Sequence, residues 1–351
     1  MVMEMRLINY DATVIANADI EWNRFEGKTV LISGATGYVS QYIVHGLLKR
    51  NDLFGTNIKV IAYCRDENKA KSRFVHYYGR EDFKILIGNI FDKVQIEEKV
   101  DFVIHAASPA GLIKSNIDPV ETFKVNVMGC DNMLMLAEEK NAEFLLLSSV
   151  DVYGKVEGGG YVENVLGALD TTDARNVYAY AKRASENLCA CYAKKGIVAK
   201  IVRPTQIMGG GIELQDGRLH IDFISQILSN KKIVIKGDGT PIRSFIYITD
   251  AIIGMLTVIA NGANGNAYNL ANEDAEASVL EFAQLMAGCT KEHVEIEFNE
   301  TTRKTSEEVK HALSVVTAKA GKLRALGWNA KISIKESCEK MLEYYGIEIL
   351  K

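Results

Sequence analysis

A tyrosine and a lysine four residues apart are the strongest candidates for catalytic side chains. Tyr178 and Lys182 lie in a segment with helical periodicity, and residues four positions apart share one face of a helix. A free phenol has a pKa of about 10 and is a poor base at neutral pH, but a neighbouring ammonium group lowers that pKa. The spacing therefore predicts a general acid/base. The alternative is that Tyr178 is a helix-surface aromatic residue and Lys182 is solvated.

A serine at the end of the preceding strand completes this predicted group. Ser149 follows the apolar run from Phe144 to Leu147 and comes before the helix that begins near Tyr178. Its hydroxyl can hydrogen-bond the substrate oxygen on which Tyr178 acts, and so orient it. The three residue types together predict proton transfer at a hydroxyl group.

A glycine-rich turn near the start of the chain predicts a dinucleotide site. The apolar strand Thr29 to Ile32 leads into Ser33-Gly34-Ala35-Thr36-Gly37-Tyr38-Val39-Ser40, and a helical stripe follows. Closely spaced glycines let the backbone approach a diphosphate, which the amino terminus of the helix then binds. The alternative is an ordinary strand-to-helix turn. We expect these residues of the turn to contact the cofactor: Gly34, Thr36, Gly37, Tyr38 and Val39.

The end of the second strand bears on which dinucleotide is bound. An acidic residue there would bind the ribose of NAD, whereas arginine suits the 2′-phosphate of NADP. Cys64 stands where the acid is expected, and Arg65 follows it. This favours NADP over NAD. NAD remains the alternative, with Arg65 paired to Asp66 or Glu67 or stacked on the adenine.

The order of predicted elements indicates an α/β fold. Apolar strands at 58–62, 83–87, 102–105, 144–147 and 198–202 alternate with helices at about 67–77, near Val94, at 120–139 and at 178–194. Such strands predict a doubly wound parallel sheet of the Rossmann type. Residues 1–204 then form the dinucleotide-binding domain, with 1–27 as an extension. Residues 205–351 form a smaller α/β substrate lobe, with helices at 222–228 and 278–286 and with parts such as 241–260 packing back on the first domain.

Composition narrows the class of protein. The chain has 351 residues, a formal net charge of −4 and 25% charged residues, which is ordinary for a globular enzyme and gives no basic field for nucleic acid. The first residues do not resemble a signal peptide, and no run reaches the ~20 apolar residues of a membrane span. The six cysteines lack a CxxC pair, so we expect free buried thiols and no metal site. The sequence predicts a cytoplasmic protein without a membrane partner.

Several motifs resemble those of the extended short-chain dehydrogenases/reductases, in particular the NAD(P)-dependent nucleotide-sugar epimerases and dehydratases. The glycine loop resembles their TGxxGxxG, with Ser40 in place of the third glycine. The segment Ser148–Gly154 looks like their SSxxVYG, and Tyr178, Lys182 and Glu186 match their YxxxKxxxE. The resemblance places further residues at the cofactor, namely Asn89, Ile90, Ala106, Ala107, Ser108 and Asn126.

The same resemblance extends into the second half and implies a nucleotide-diphosphate sugar as the substrate. Arg203 and Thr205 lie in a segment similar to the family's RPxxxYGPG, and Arg243 lies in one similar to RDFxYVxD, whose arginine meets the nucleotide diphosphate. A guanidinium group is suited to that contact because it forms paired bonds to phosphate oxygens, although Arg243 in an ordinary surface ion pair is the alternative. Arg218 is a further candidate. The family also implies a homodimer.

The resemblance implies transient oxidation of the sugar at C4, with several outcomes. The ketone can be reduced on its other face (epimerisation), can assist loss of the C6 hydroxyl (dehydration), or can assist loss of carbon dioxide from a uronate. Dehydratases of the family tend to carry two acidic residues directly after the serine, and decarboxylases tend to keep the second of them. In this chain Val150 replaces the first acid, and the second is Asp151. We therefore expect a 4-epimerase before a dehydratase or decarboxylase. Asp151 acts at C5 or C6, or only holds loop amides. An NADPH-dependent keto-sugar reductase and a non-catalytic dinucleotide sensor are the remaining alternatives.

Overall fold

The structure is a computed structural model that describes residues 2–109, 118–156, 160–299 and 315–350. Seven parallel strands form its central sheet, in the order β10-β6-β5-β4-β1-β2-β3. The strands are β1 (Thr29–Ser33), β2 (Lys59–Cys64), β3 (Phe83–Ile87), β4 (Phe102–His105), β5 (Glu143–Leu147), β6 (Ala199–Pro204) and β10 (Ala267–Leu270). The predicted doubly wound parallel sheet is confirmed. The strand order reverses between β1 and β4, which is where ligands of such sheets bind.

Helices cover both faces of this sheet. They are α1 (Val2–Ala16), α2 (Tyr38–Phe54), α3 (Glu67–Arg73), α4 (Pro119–Lys140), α5 (Val177–Lys194), α6 (Leu219–Asn230), α7 (Ile248–Asn261), α8 (Val279–Cys289), α9 (Gly321–Arg324) and α10 (Ile334–Tyr344). Alternate residues of β1 point to opposite faces. Val30 and Ile32 pack in a core with α2 and α7, whereas Leu31 packs in a second core with α4 and α5.

Local sequence signals explain where some of these helices begin. Asp118 caps α4 by accepting a hydrogen bond from the Glu121 amide, and proline occupies the first turn. Ser278 and Glu281 form a reciprocal capping box at the start of α8. Both helices therefore begin within a few residues of the predicted positions.

The remaining strands build the smaller lobe. They are β7 (Gln206–Met208), β8 (Lys232–Ile235), β9 (Ile242–Tyr247), β11 (Glu276–Ser278), β12 (Glu295–Phe298) and β13 (Val315–Val316). β9 pairs with β7, β11 and β13, and β8 pairs with β12. The two halves of the chain interlock, because β10 joins the main sheet and α7 packs against α1 and α2. A domain boundary after Pro204 thus cuts across the main sheet.

Two local predictions were wrong. No helix forms near Val94 within residues 88–101, which have no regular secondary structure. Val94 and Val100 are buried in the second core, and the Lys140 ammonium donates to the Ile96 carbonyl at 2.5 Å. The six cysteines are free as expected, but Cys191 is exposed.

Candidate active site

The glycine-rich turn joins β1 to α2 at the reversal point of the sheet. Gly34 adopts φ +64°, and a Cβ there would lie 2.7 Å from the Ala107 Cα. Gly37 donates a hydrogen bond to the Gly34 carbonyl at 2.8 Å and caps the start of α2. Gly34 requires glycine, and a Cβ on Gly37 would be crowded against the Gly34 carbonyl oxygen at 3.0 Å. The first turn of α2 follows directly, and the amides of a helix amino terminus are suited to bind a diphosphate.

The loop after β4 forms the other side of this crevice. The Ser33 hydroxyl accepts hydrogen bonds from the amides of Ala106 and Ala107 at 3.2 and 3.3 Å and contacts His105 Nδ1 at 2.8 Å. Buried His105 Nε2 and Ser108 Oγ have no hydrogen-bond partner among the described residues. Unpaired buried polar atoms beside a glycine cradle are consistent with a bound dinucleotide. The residues 110–117, which continue this loop, lie outside the described part of the chain.

The three predicted catalytic side chains lie together at the carboxyl ends of the strands. Tyr178 and Lys182 are one turn apart on α5, with the Lys182 Nζ 5.6 Å from the centre of the Tyr178 ring. Burial raises the pKa of Tyr178, and the charge of Arg218 and a hydrogen bond with Ser149 oppose that rise. The lowering that the spacing predicts from Lys182 is not found, because burial is the dominant effect. Lys182 is buried, which lowers its pKa to about 8, and its Nζ donates to the Leu147 carbonyl at 2.8 Å. The lysine is thereby anchored to the end of β5, two residues before Ser149.

Asp151 lies beside Ser149 in a short 3₁₀ turn, Val150–Tyr153. The Ser149 hydroxyl donates to the Asp151 carboxylate at 3.0 Å and accepts a hydrogen bond from the Asp151 amide at 3.2 Å. Burial raises the pKa of Asp151, while the hydrogen bond from Ser149 and the charge of Arg243 oppose that rise. The Arg243 charge also opposes the rise in the pKa of Tyr161. Arg243 is therefore close enough to Asp151 and Tyr161 to act on their charges.

Arg203 has a different environment from the one that the motif predicts. Its guanidinium is buried and pairs with the Glu186 carboxylate through two hydrogen bonds of 2.9 and 2.7 Å. It also donates to the Tyr153 hydroxyl and the Glu163 carbonyl. A guanidinium with this set of partners holds β6 against α5, and its geometry gives no support to a direct contact with substrate.

Arg218 lies on the cofactor side of the cleft. The centre of its guanidinium is 5.8 Å from the ring of Tyr38, the residue that follows the glycine-rich turn. Its Nε is 3.1 Å from the Asp216 carboxylate. Arg218 therefore lies beside Tyr38, whereas Arg243 acts on Asp151 and Tyr161, although both arginines were expected to have the same role.

The other predicted contact residues differ in their exposure to solvent. Arg65 is exposed and makes no ion pair with any residue in the described ranges, and Asp66 caps α3 instead. Exposed Asn89 accepts from the Phe91 amide, and Asn126 is buried in α4, its side-chain NH₂ donating to the Thr122 carbonyl. Thr36 and Val39 are half-buried at the turn, Ile90 packs towards Gly129, and Thr205 is buried at the end of β6.

Some residues of the site were not predicted from their own positions. Tyr161 comes from a loop whose neighbours 157–159 lie outside the described residues, and its hydroxyl donates to the Val315 carbonyl at 3.2 Å. Gln41 is buried in the first turn of α2, and its Nε2 has no partner among the described residues. No motif identifies Tyr161, because contacts between distant parts of the chain position it. Gln41 directly follows the glycine-rich turn, but it is not one of the positions that the motif specifies.

The strand order, the glycine cradle and the Ser149, Tyr178 and Lys182 group define an enzyme fold of the short-chain dehydrogenase/reductase type. Residues 30–271 match the NAD dependent epimerase/dehydratase family, and the chain belongs to that family. The resemblance recognised in the motifs is confirmed, and the protein is an enzyme of an NAD-dependent family. Within the described residues, no group of His, Cys, Asp or Glu side chains is arranged to hold a metal ion, and no helix is long and apolar enough to cross a membrane.

Its relatives include UDP-glucuronic acid decarboxylase 1 of Danio rerio, 28% identical over 92% of this chain and 73% of that protein. UDP-glucuronic acid decarboxylase 1 of Arabidopsis thaliana is 29% identical over 92% of this chain and 70% of that protein. The fold is similar to that of UDP-glucuronic acid 4-epimerase from Bacillus cereus in complex with NAD. The TM-score is 0.74 with 21% identity, covering 90% of this chain and 96% of the other.

Proposed function

We propose that the protein is a decarboxylase of a nucleotide-linked uronic acid, with UDP-glucuronate as the first substrate to test. The observation that carries this proposal is the single acidic residue, Asp151, that follows Ser149 in a chain whose relatives are named UDP-glucuronic acid decarboxylases. The sequence alone favoured a 4-epimerase, because valine replaces the first of the two acids and only Asp151 remains. The relatives reverse that preference.

The chain's own residues can supply each proton transfer of this reaction. The positive charges of Lys182 and of the oxidised dinucleotide, when it is bound, would oppose the effect of burial and favour the Tyr178 phenolate. The phenolate takes the proton of the sugar 4-hydroxyl, and Ser149 hydrogen-bonds the same oxygen. When bound, the oxidised dinucleotide accepts the hydride from C4 and later returns it. The resulting 4-ketone is β to the C6 carboxylate, so the C5–C6 bond breaks with release of carbon dioxide and its electrons form an enolate. Protonation at C5, and reduction at C4 with return of the Tyr178 proton, give the nucleotide pentose.

Asp151 is placed to assist the later steps. Its raised pKa favours the protonated form, which can donate a proton to C5 after carbon dioxide has left. The nearby positive charge of Arg243 favours an anionic substrate group at this end of the cleft, either the sugar-nucleotide diphosphate or the uronate carboxylate. A second acid, which a 4,6-dehydratase would use to expel the C6 hydroxyl, is missing because position 150 is valine.

Product analysis tests the proposed reaction. The purified protein is incubated separately with UDP-glucuronate, UDP-galacturonate, UDP-glucose and dTDP-glucose, and products are separated by chromatography and identified by mass and NMR. We expect UDP-pentose and carbon dioxide from a uronate and no product from the neutral hexoses. The C4 epimer of the uronate without pentose would instead establish the epimerase, and a 4-keto-6-deoxy sugar the dehydratase. Tyr178→Phe protein in the same assay shows that the product comes from this site.

The same assay, supplied with NAD and then with NADP, decides the choice of dinucleotide. We propose that NADP is accepted, because Cys64 is buried and no carboxylate ends β2 to bind the ribose of NAD, while the Arg65 side chain is exposed beside the site. Burial raises the pKa of the Cys64 thiol to about 11, so this group stays neutral. Activity with NAD alone would show that Arg65 does not select the 2′-phosphate. Consumption of NADPH in proportion to product would indicate a reductase.

We propose that the protein forms a homodimer through α4. Four large apolar side chains of this helix are exposed, at 62% (Val120), 42% (Phe123), 50% (Met128) and 39% (Met135). Such a stripe is typical of an interface, and α4 packs on α5, so a two-fold contact would create a four-helix bundle. In sedimentation velocity we expect a dimer that Met128→Asp weakens by about tenfold or more. Leu53→Asp, at an exposed position of α2, is the control, and a wild-type monomer would contradict the proposal.

A further inference from the structure

One buried asparagine on an edge strand of the main sheet binds three other segments of the chain. Asn269 lies on β10, and its side chain is fully buried. Its Nδ2 donates to the carbonyl oxygens of Tyr161 at 2.9 Å and Lys319 at 3.1 Å, and its Oδ1 accepts from the Tyr153 hydroxyl at 2.6 Å. Its backbone amide donates to the Glu163 carboxylate at 2.9 Å. Both polar atoms of the side chain therefore have partners, and all of these partners lie outside β10.

The chemistry of the partners fixes the orientation of the Asn269 amide. A carbonyl oxygen can only accept a hydrogen bond, so the NH₂ group must face Tyr161 and Lys319. The Tyr153 hydroxyl accepts from the Arg203 guanidinium at 2.9 Å, which leaves its own proton to bond the Asn269 oxygen. Among side chains of this size, only asparagine provides one acceptor and two donors in this arrangement.

The contact with Tyr153 connects Asn269 to the turn that carries Asp151. Tyr153 is buried and is the last residue of the 3₁₀ turn Val150–Tyr153, which follows Ser149 directly. Asp151 is only two residues away from Tyr153 in this turn. Because the turn is so short, the hydrogen bond to Asn269 limits where the Asp151 carboxylate can lie relative to the sheet.

The contacts with Tyr161 and Lys319 connect Asn269 to the strand that carries Arg243. β13 pairs with β9, and its Val316 is the register partner of Arg243. Three residues after Val316, the Lys319 amide donates to the Tyr161 carbonyl at 2.9 Å. The Asn269 NH₂ group binds the carbonyl oxygens of both paired residues, and so it holds the continuation of β13 against β10.

Two tyrosine rings fill the space between these segments. The rings of Tyr153 and Tyr161 are buried, with their centres 4.8 Å apart. The Tyr161 hydroxyl donates to the Val315 carbonyl of β13 at 3.2 Å. Apolar packing of the rings is not directional, whereas hydrogen bonds require a narrow range of distances and angles. The Asn269 amide therefore sets the spacing that the rings fill.

We propose that Asn269 is a positioning residue for the sugar nucleotide, because it fixes the separation between the turn of Asp151 and the strand of Arg243. This inference rests on the proposed function, in which Asp151 acts at the sugar and Arg243 favours an anionic group of the same substrate. A ligand that meets both residues loses affinity when their separation varies, since the two contacts are then seldom made together. Asn269 itself is buried and acts only through the segments that it binds.

Ligand binding without turnover tests the proposal. UDP-glucuronate and UDP are titrated by calorimetry, and NADH by fluorescence, into Tyr178→Phe protein with and without Asn269→Ala. We expect Asn269→Ala to weaken UDP-glucuronate binding by about tenfold, and UDP and NADH binding by less than about threefold. UDP lacks the sugar and cannot meet both residues.

Asn272→Ala is the matched control. Asn272 is also a buried asparagine, but its NH₂ group donates to the Ile332 carbonyl at 3.0 Å and not to the segments near Asp151 or β13. Its loss should lower the stability to urea and leave the ratio of the UDP-glucuronate and UDP affinities unchanged. The ratio therefore separates positioning of the substrate from general support of the fold.

Tyr153→Phe provides a second test, which decides the matter if Asn269→Ala does not fold. It removes the hydroxyl that binds Asn269 and keeps the ring against Tyr161, so we expect UDP-glucuronate binding to weaken by about threefold and UDP binding to stay unchanged. Equal weakening of both ligands, or unchanged binding of both by folded variants of lower stability, would overturn the proposal. The same comparison applies to any sugar nucleotide that the product assay identifies as the substrate, so a wrong assignment of the decarboxylase activity does not decide this test.

Discussion

Tyr178→Phe should lower turnover by about a thousandfold or more while changing the dissociation constant of the dinucleotide by less than about threefold. The substitution removes the only atom of this side chain that can exchange a proton with the substrate. It keeps the ring that packs at the start of α5, 5.6 Å from the Lys182 ammonium. Turnover is measured by product formation under saturating substrate, and dinucleotide binding by fluorescence titration.

Tyr180→Phe is the matched control for this prediction. Tyr180 lies on the same helix, and its hydroxyl donates to the Leu169 carbonyl at 2.9 Å. Its loss should cost about 1 kcal/mol of stability and leave turnover nearly unchanged. If Tyr178→Phe retains a tenth or more of wild-type turnover, the phenol is not the acid/base, and the chemistry must be assigned to another group in the cleft.

Glu186→Ala is expected to destabilise the protein by about 3 to 5 kcal/mol, since it leaves the Arg203 charge buried without its partner. Glu186 accepts two hydrogen bonds from Arg203 and one from the Ser148 hydroxyl at 2.5 Å. Arg203 in turn donates to the Tyr153 hydroxyl, which donates to Asn269 of β10. The substitution therefore breaks a network that links α5, β6 and β10.

Urea unfolding followed by circular dichroism measures this effect. Glu67→Ala is the control, because it removes an exposed pair with Lys71 on α3, which should contribute less than about 0.5 kcal/mol. Glu186→Gln keeps the size of the side chain and should fall between Glu186→Ala and wild type. A loss of less than about 1 kcal/mol in Glu186→Ala would show that the buried pair is not a main support of the fold.

Much of the fold could be predicted because it depends on local patterns. The bounds of β3 and β4 follow from short apolar runs, and the start of α8 follows from a serine with a glutamate three residues later. The segment around Val94 could not be predicted in this way. Its non-helical course depends on burial against α4 and on the Lys140 hydrogen bond, and both come from a distant part of the chain.

The candidate site likewise has residues that local patterns predict and residues whose surroundings depend on distant contacts. Tyr178 and Lys182 could be predicted because helical spacing fixes their relation, and Ser149 because it ends a strand. The surroundings of Arg203, Arg218 and Arg243 depend on how the smaller lobe packs on the sheet. Position in the sequence indicated Arg203 for the substrate and Arg218 and Arg243 for its diphosphate. The structure pairs Arg203 with Glu186 and gives the other two different neighbours, Tyr38 for Arg218 and Asp151 for Arg243.

The choice of reaction needed the relatives as well as the residues. An aspartate at position 151 fits epimerisation, decarboxylation or a carboxylate that only holds loop amides. The two reactions pass through the same 4-ketone, and the structural role involves no ketone. Contact with Ser149 and the charge of Arg243 bring Asp151 to the reacting end of the cleft, but they do not define the bond that breaks.

The central claim is transient oxidation at C4 followed by loss of carbon dioxide at C5, and isotopic labelling tests it most directly. UDP-glucuronate carrying deuterium at C4 is converted in ordinary water, and unlabelled substrate is converted in deuterium oxide. We predict that the UDP-pentose retains the C4 deuterium in the first experiment and gains one deuterium at C5 in the second. Loss of the C4 label to solvent, or a hexuronate product with no deuterium at C5, would contradict the proposed reaction.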